Sequence, residues 1–363
     1  IDRGMHYNIS VIIPKFEYSD YNHSLSSQFE MDDFHNRKNK DAGVQYRVSR
    51  QFYKETADTL RLRIYEQRRD YYTSRTGNIE SRDEKIQSAD NILGYQLSDN
   101  LAFLFKGSLL HRTMNISLLT GTGKGMLRKR EDFKTSGLFR MRYQNETFSG
   151  NLMYIYSSED QQYELAENTE LSPYSGTSLI VTPDNQNVRT TLLLRTKWRY
   201  NRTDSLLFSS SLQRYRYNTP AEDNFDDRDE LRIRSFIQSI HYLSSDIRLK
   251  FTLSLNMFHF VYIFGEKSAD NNWTRIISFK PQMIWEPGPN VRFSQTAEVL
   301  ANYVAYDYEN LLPSTRSFLY RKFRLEDSCQ VQITPRTQVS LFYRLELDET
   351  GKFAWDEWKE QRL

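Results

Sequence analysis

The chain has 363 residues, of which 38% are hydrophobic, below the about 45–50% usual in soluble domains, and 14% are aromatic, with 24 Tyr and 22 Phe. Lys and Arg number 49 against 47 Asp and Glu, a net charge of +2, which argues against a nucleic-acid partner held by bulk charge. A single cysteine, Cys329, excludes an internal disulfide or a cysteine-based metal cluster, and no run of about 18 apolar residues offers a transmembrane helix.

Low hydrophobicity with many aromatics suits long polar loops and rings of Tyr, Phe and Trp. The sequence opens at Ile1 without a basic stretch followed by an apolar one, so the expectation is a leader already removed or a piece of a longer chain.

Helical periodicity is almost absent, and period-two alternation recurs from end to end. About sixteen strands are expected, many of about ten residues or more, against the about five or six usual in soluble sheets. The first is MHYNISVIIPKFEY (5–18). In LAFLFKGSL (101–109) one face reads Leu101, Phe103, Phe105, Leu109. In TTLLLRTKWRY (190–200) Leu192, Leu194, Trp198 and Tyr200 oppose Arg195, Lys197 and Arg199, with Arg189 just before them. LRIRSFIQSIHYL (231–243) leaves its faces ambiguous. IRLKFTLSLNMF (247–258) is clean: Ile247, Leu249, Phe251, Leu253, Leu255 and Met257 oppose Arg248, Lys250, Thr252, Ser254 and Asn256.

Two later strands break the rule. Gln295 falls on the face of Val291, Phe293, Ala297 and Val299, and Asp327 on that of Phe323, Leu325, Cys329, Val331 and Ile333. A β-bulge shifting the register is the expected explanation, with a docked partner as the sharper one. In VSLFYRLEL (339–347) alternation resumes.

Short polar turns fall at 19–22, 55–59, 98–100, 144–146, 201–205, 244–246, 286–290 and 334–337. Longer connections near 70–90, 112–134, 158–187, 218–230, 265–272 and 307–317 alternate with them. Short turns at one end of a meander and long loops at the other are the pattern of a transmembrane β-barrel. So many oily strand faces would need a large second layer, and no amphipathic helices supply one, whereas lipid can. Closure also removes the unpaired edges that hydrocarbon penalises. The expected fold is therefore all-β, a single antiparallel up-and-down transmembrane β-barrel domain over 1–363. The first and last long strands begin and end on the long-loop side, so further strands are expected beyond the sequence.

On that reading the inner face carries Arg47, Arg61, Arg63, Arg140, Arg142, Arg195, Lys197, Arg232, Arg234, Arg248, Lys250, Lys280, Arg292, Arg324 and Arg344, joined by Glu298, Glu326 and Glu346. Such a wall attracts anions, or fills the interior with cross-strand ion pairs. Aromatics near strand ends, Tyr71, Tyr72, Tyr154, Tyr156, Trp198, Trp273, Trp285 and Tyr306, are the expected membrane-interface girdles.

Other motifs reduce to loops. TGTGKGM (120–126) fails the phosphate-loop pattern, since Leu118 stands where the first Gly belongs and Gly125 follows the Lys. The acidic stretches NFDDRDE (224–230) and FEMDDFH (29–35) lack EF-hand spacing and read as solvated. His111, His241 and His259 lie in or near strands, but no Ser-His-Asp or Cys-His pairing follows from spacing. No catalytic residue, metal or cofactor is expected.

The arrangement resembles bacterial outer-membrane β-barrels as a class, a group that includes diffusion porins, TonB-dependent receptors, and secretion and lipopolysaccharide-assembly barrels. TonB-dependent receptors resemble it less, since these 363 residues hold no N-terminal plug domain. The resemblance implies a non-enzymatic channel or transporter in the bacterial outer membrane for small, anionic solutes. Its partners would be outer-membrane lipid, the solute and a protein partner or oligomer, with no nucleic acid. A plugged scaffold for secretion or envelope assembly and a soluble all-β binding protein are the alternatives.

Overall fold

The computed structural model describes residues 4–18, 20–34, 37–53, 56–72, 79–120, 123–165, 184–220, 225–309, 317–354 and 359–362. These form β1 (Gly4–Tyr18), β2 (Tyr21–Phe34), β3 (Arg37–Tyr53), β4 (Thr56–Tyr72), β5 (Ile79–Ser98), β6 (Leu101–Thr120), β7 (Gly123–Gln144), β8 (Phe148–Leu165) and β9 (Asn185–Arg199). There follow β10 (Ser205–Asn218), β11 (Arg228–Tyr242), β12 (Ile247–Tyr262), β13 (Asn272–Gly288), β14 (Val291–Tyr306), β15 (Phe318–Thr334), β16 (Thr337–Ala354) and β17 (Lys359–Arg362). All belong to a 17-stranded sheet, and each described register joins sequence neighbours antiparallel, the up-and-down pattern. Among the described residues no helix is long and apolar enough to cross a membrane, and they hold one 3-10 turn, Gly265–Asp270.

Seven of the eight short turns lie at the expected polar clusters; between β3 and β4 the reversal falls outside the described residues, and 56–59 of the expected 55–59 is already strand. Their chemistry is local. Asp20 sits at φ 65°, the left-handed conformation that a two-residue hairpin turn asks for. Asn145 Oδ1 accepts from the N–H of Thr147 at 3.0 Å and of Phe148 at 2.6 Å, and Asn201 Oδ1 from those of Thr203 at 2.9 Å and Asp204 at 2.6 Å. Ser244 Oγ does the same for Asp246 and Ile247. These side chains stand in for backbone acceptors and fix each reversal.

The other ends differ from expectation. Much of 70–90 and 112–134 is strand: β5, β6 and β7 run for 20, 20 and 22 residues. In 79–90 the residues are mostly polar on both faces, so the alternation fades while the backbone ladder continues. Cross-strand ion pairs take over, with Arg112 bridging Glu84 at 3.2 Å and Asp132 at 2.8 Å, and Arg68 near Asp83 at 3.7 Å. Segment 265–272 holds the 3-10 turn, and β11 already starts at Arg228. The middles of the connections 158–187 and 307–317, and the tips within 70–90, 112–134 and 218–230, lie outside the described residues.

Two compact units are distinguished, Ile1–Phe139 with Ile155–Val188 and Tyr217–Asn224, and Arg140–Tyr154 with Arg189–Arg216 and Phe225–Leu363. In the first, register places Ile9, Phe29, Ala42, Val44, Ile64, Leu62, Ala89 and Leu109 on one face, and Arg47, Arg61, Arg63 and Asp90 on the other. In the second, Leu253, Phe279, Val299, Phe323 and Leu347 form one apolar cross-strand row, and Lys280, Arg324 and Glu346 lie on the opposite face. The ambiguous strand is resolved: Ile233, Ile237 and His241 join the apolar face, Arg232, Arg234 and Phe236 the polar one.

No second layer covers the apolar face among the described residues. Leu253 is 48% exposed, Val299 54% and Leu347 57%. A water-soluble sandwich would bury these side chains, so the soluble reading does not suit the fold.

No register shift, and so no bulge of the kind expected, falls at Gln295 or Asp327; the nearest to Gln295 lies between Trp285 and Gly288 in the β13–β14 pairing, toward the turn. Pairing runs unbroken from Val291 opposite Val331 to Val304 opposite Phe318, and β15–β16 shifts only at Gln332/Thr334. Gln295 and Asp327 therefore do share the apolar face, directly opposite each other.

Candidate functional site: a cationic cavity on the polar face

β7 ends in Arg140-Met141-Arg142-Tyr143-Gln144, so alternation sends Arg140, Arg142 and Gln144 to one side. On β9, Leu194 and Trp198 are exposed on the apolar side, which turns Arg195 and Lys197 the other way. The structure brings these four cations together around one cavity of about 340 Å³, with Asn151 and Gln144 also in its wall. Among the described residues no carboxylate lies within ion-pair distance of any of the four. Arg140 Nε and Asn151 Oδ1 are buried without hydrogen-bond partners, and the Arg140 guanidinium has only a weak 3.8 Å contact with Met153 Sδ. A guanidinium presents a planar fork of donors that fits a carboxylate or phosphate two-pronged. Sequence alternation finds each of these residues; that they converge depends on the registers of four strands, which no single strand reveals.

The other expected basic residues sit in different company. Arg324 lies 3.1 Å from Glu346 and 3.8 Å from Glu298, Arg344 2.9 Å from Glu326, and Arg292 3.4 Å from Glu286. Arg63 reaches Asp90 at 4.0 Å and Arg232 reaches Glu230 at 3.6 Å. Arg47 stands opposite Arg61, Arg234 opposite Asn256, Lys250 opposite Gln282 and Lys280 opposite Thr252. Arg248 lies 6.0 Å from the centre of the Tyr242 ring. Among the described residues the polar face thus mixes ion-pair networks with cations that have no carboxylate within ion-pair distance, and Arg140, Arg142, Arg195 and Lys197 are four of these gathered around one cavity.

Of the aromatics, Trp285 stacks on Phe293 and Trp273 on His259, on the apolar face at opposite ends of β13. Trp198 and Tyr154 are exposed, at 50% and 43%, and Tyr156 is two residues further along β8. Tyr306 pairs with Asn272 on the polar face, so a girdle on the apolar face cannot include it. Tyr71 and Tyr72 end β4; their side chains lie outside the described residues.

Spacing gave no Ser-His-Asp set, but the fold draws one together. Ser239 Oγ is 2.7 Å from His241 Nε2, and His241 Nδ1 is 3.8 Å from Asp204 and 2.8 Å from the Tyr200 hydroxyl. Asp204 is committed to its turn: it accepts from the Tyr242 N–H at 2.9 Å and from Asn201 Nδ2 at 2.8 Å, and these bonds hold its carboxyl below the ordinary range. The group locks the β9–β10 turn to the end of β11. His259 Nε2 likewise holds Asp307 at 3.0 Å. For a metal, His6, Glu30 and Asp32 offer ligand atoms within 4.8 Å of one another, though His6 Nδ1 already hydrogen-bonds Asp32 at 2.6 Å. In the 224–230 stretch, Asp226 pairs with Lys267, Asp229 with Arg214 and Arg216, and Glu230 with Arg228, so these oxygens are held by cations.

No family model matches the sequence, and no curated protein matches it. Solved structures do. The copper transporter OprC is similar over 95% of this chain and 61% of its own, with TM-score 0.54 and 11% identity. The ferric preacinetobactin receptor BauA from Acinetobacter baumannii gives TM-score 0.52 and 10% identity, over 95% of this chain and 60% of its own. The ferric-catecholate import receptor Fiu from E. coli K12 gives TM-score 0.52 and 10% identity, over 96% and 64%. The chain therefore spans about three fifths of the length of these structures. At such identities the likeness is one of fold: that of the bacterial outer-membrane β-barrels.

Proposed function

We propose that the chain forms wall of an outer-membrane transport barrel, with its apolar face in lipid and its polar face lining the path of small anionic solutes. The observation that carries the reading is the cavity of Arg140, Arg142, Arg195 and Lys197 without a paired carboxylate. A wall that only filled space would neutralise these cations, as it does Arg324 and Arg344. Four cations around one open recess, three of them exposed, raise the local concentration of anions and repel cations. The neighbouring folds are those of a transporter and of receptors, which supports transport over a purely structural role.

The test is the reversal potential of the full-length protein in planar bilayers under a KCl gradient. Chloride preference is expected. It should move toward zero when Arg140→Gln, Arg142→Gln, Arg195→Gln and Lys197→Gln are combined. Cation preference, no current, or a potential indifferent to the four changes contradicts the reading.

A further inference from the structure

The apolar face of the second unit carries a polar pair that hydrocarbon cannot satisfy. Gln295 and Asp327 lie in one cross-strand row, Met283–Gln295–Asp327–Tyr343, over β13 to β16. Gln295 is exposed, and one carboxylate oxygen of Asp327 is buried without a hydrogen-bond partner. The row borders a groove of about 390 Å³ whose wall includes Trp285, Phe293 and Leu341. One row away stands the apolar file Phe251, Pro281, Ala297, Leu325, Leu345. An amide with free donors and a carboxylate short of one are thus set side by side among side chains that face lipid.

Acyl chains offer neither donor nor acceptor, so in a bilayer such groups are satisfied by protein. An anionic headgroup would bring like charge to Asp327. A second copy of the same chain brings what each residue lacks. Because Gln295 and Asp327 share a row, they stand at nearly the same depth. A twofold axis along the membrane normal then sets Gln295 of each copy against Asp327 of the other, and both contacts form together. Met283, Phe293, Leu341 and Tyr343 surround the pair and supply close packing, the other force that joins proteins in lipid. We propose that this face is a homodimer contact, with reciprocal Gln295–Asp327 hydrogen bonds at its centre.

The native thiol lies on the same face two residues from Asp327, so the test removes it first with Cys329→Ser. Full-length chains carrying Gln295→Cys and, with a different affinity tag, Asp327→Cys are co-expressed in the outer membrane and oxidised with copper phenanthroline. A disulfide joining the two tags is expected, while Val299→Cys, on the same face two rows away, should yield at least tenfold less. Without any cysteine change, Gln295→Leu with Asp327→Leu should lower the dimer fraction in lipid nanodiscs at least tenfold, and heat-modifiable migration checks that the variant folds. No disulfide between the tags, equal yield from Val299→Cys, cross-linking to a different protein instead, or a dimer fraction unchanged by the leucines overturns the proposal.

Discussion

Trp285 lies stacked on Phe293 across the β13–β14 pair, ring centroids 5.1 Å apart and planes inclined by 21°. Trp273, on the same strand, stacks on His259 at 4.1 Å and 8°. The two Trp are twelve residues apart on β13. That is about 41 Å along the strand, or about 30 Å along the normal for a tilt near 40°, close to the thickness of a hydrocarbon core.

Single-Trp variants retaining Trp273 or Trp285 should both be quenched most by lipids brominated near the headgroup, and least by lipids brominated near the chain end. Strongest quenching of either by the deep bromine would place the membrane elsewhere on the strand.

Glu326 receives Arg344 at 2.9 Å and lies 3.9 Å from Arg324. Both arginines are at least 30% exposed, so the pairs are screened. Glu326→Gln should cost no more than about 1 kcal/mol in urea unfolding. A much larger loss would show that the network is drier than its exposure indicates.

Asp204 supplies the pH dependence. Hydrogen bonds from the Tyr242 N–H, then from Asn201, hold its carboxyl below the ordinary 3.8. A depressed folded-state value stabilises the native turn above the unfolded value and is lost as pH falls through the lowered one. Hydrogen-exchange protection at the Tyr242 amide, corrected for intrinsic exchange, should be flat from neutral pH to about 4 and fall below it. Asp204→Asn should remove that step. A step unchanged in the variant would assign it to another group.

Gly43 lies directly opposite Tyr65, and a Cβ on it would come within 2.7 Å of the ring. Gly43→Val should destabilise by about 1–3 kcal/mol, and Tyr65→Ala in the same chain should relieve part of the loss. Additive losses would mean that the ring does not occupy that space.

How much of this was legible in the sequence follows from the physics of each feature. The turns were readable because Asp20, Asn145, Asn201 and Ser244 act on their own neighbours. Strand faces were readable wherever one side was oily, as at Leu253 and Leu255. They faded in 79–90, where Arg82, Asp83, Glu84 and Lys85 follow one another and only cross-strand partners keep the ladder. Register, the property that joins strands, was not readable. Hence a bulge is expected at Asp327 where the β14–β15 pairing runs unbroken, and the place of Tyr306 near a strand end does not reveal its face. The gathering of Arg140, Arg142, Arg195 and Lys197 into one cavity was likewise hidden.

The central claim is that the apolar strand faces meet hydrocarbon. Nitroxide scanning of β12 from Ile247 to Phe258 in reconstituted full-length protein tests it most directly, by comparing collision with oxygen and with a water-soluble nickel chelate. Oxygen accessibility should peak at positions 249, 251, 253 and 255, and nickel accessibility at 250, 252 and 254, with a period of two. An inverted pattern, or none, would contradict it.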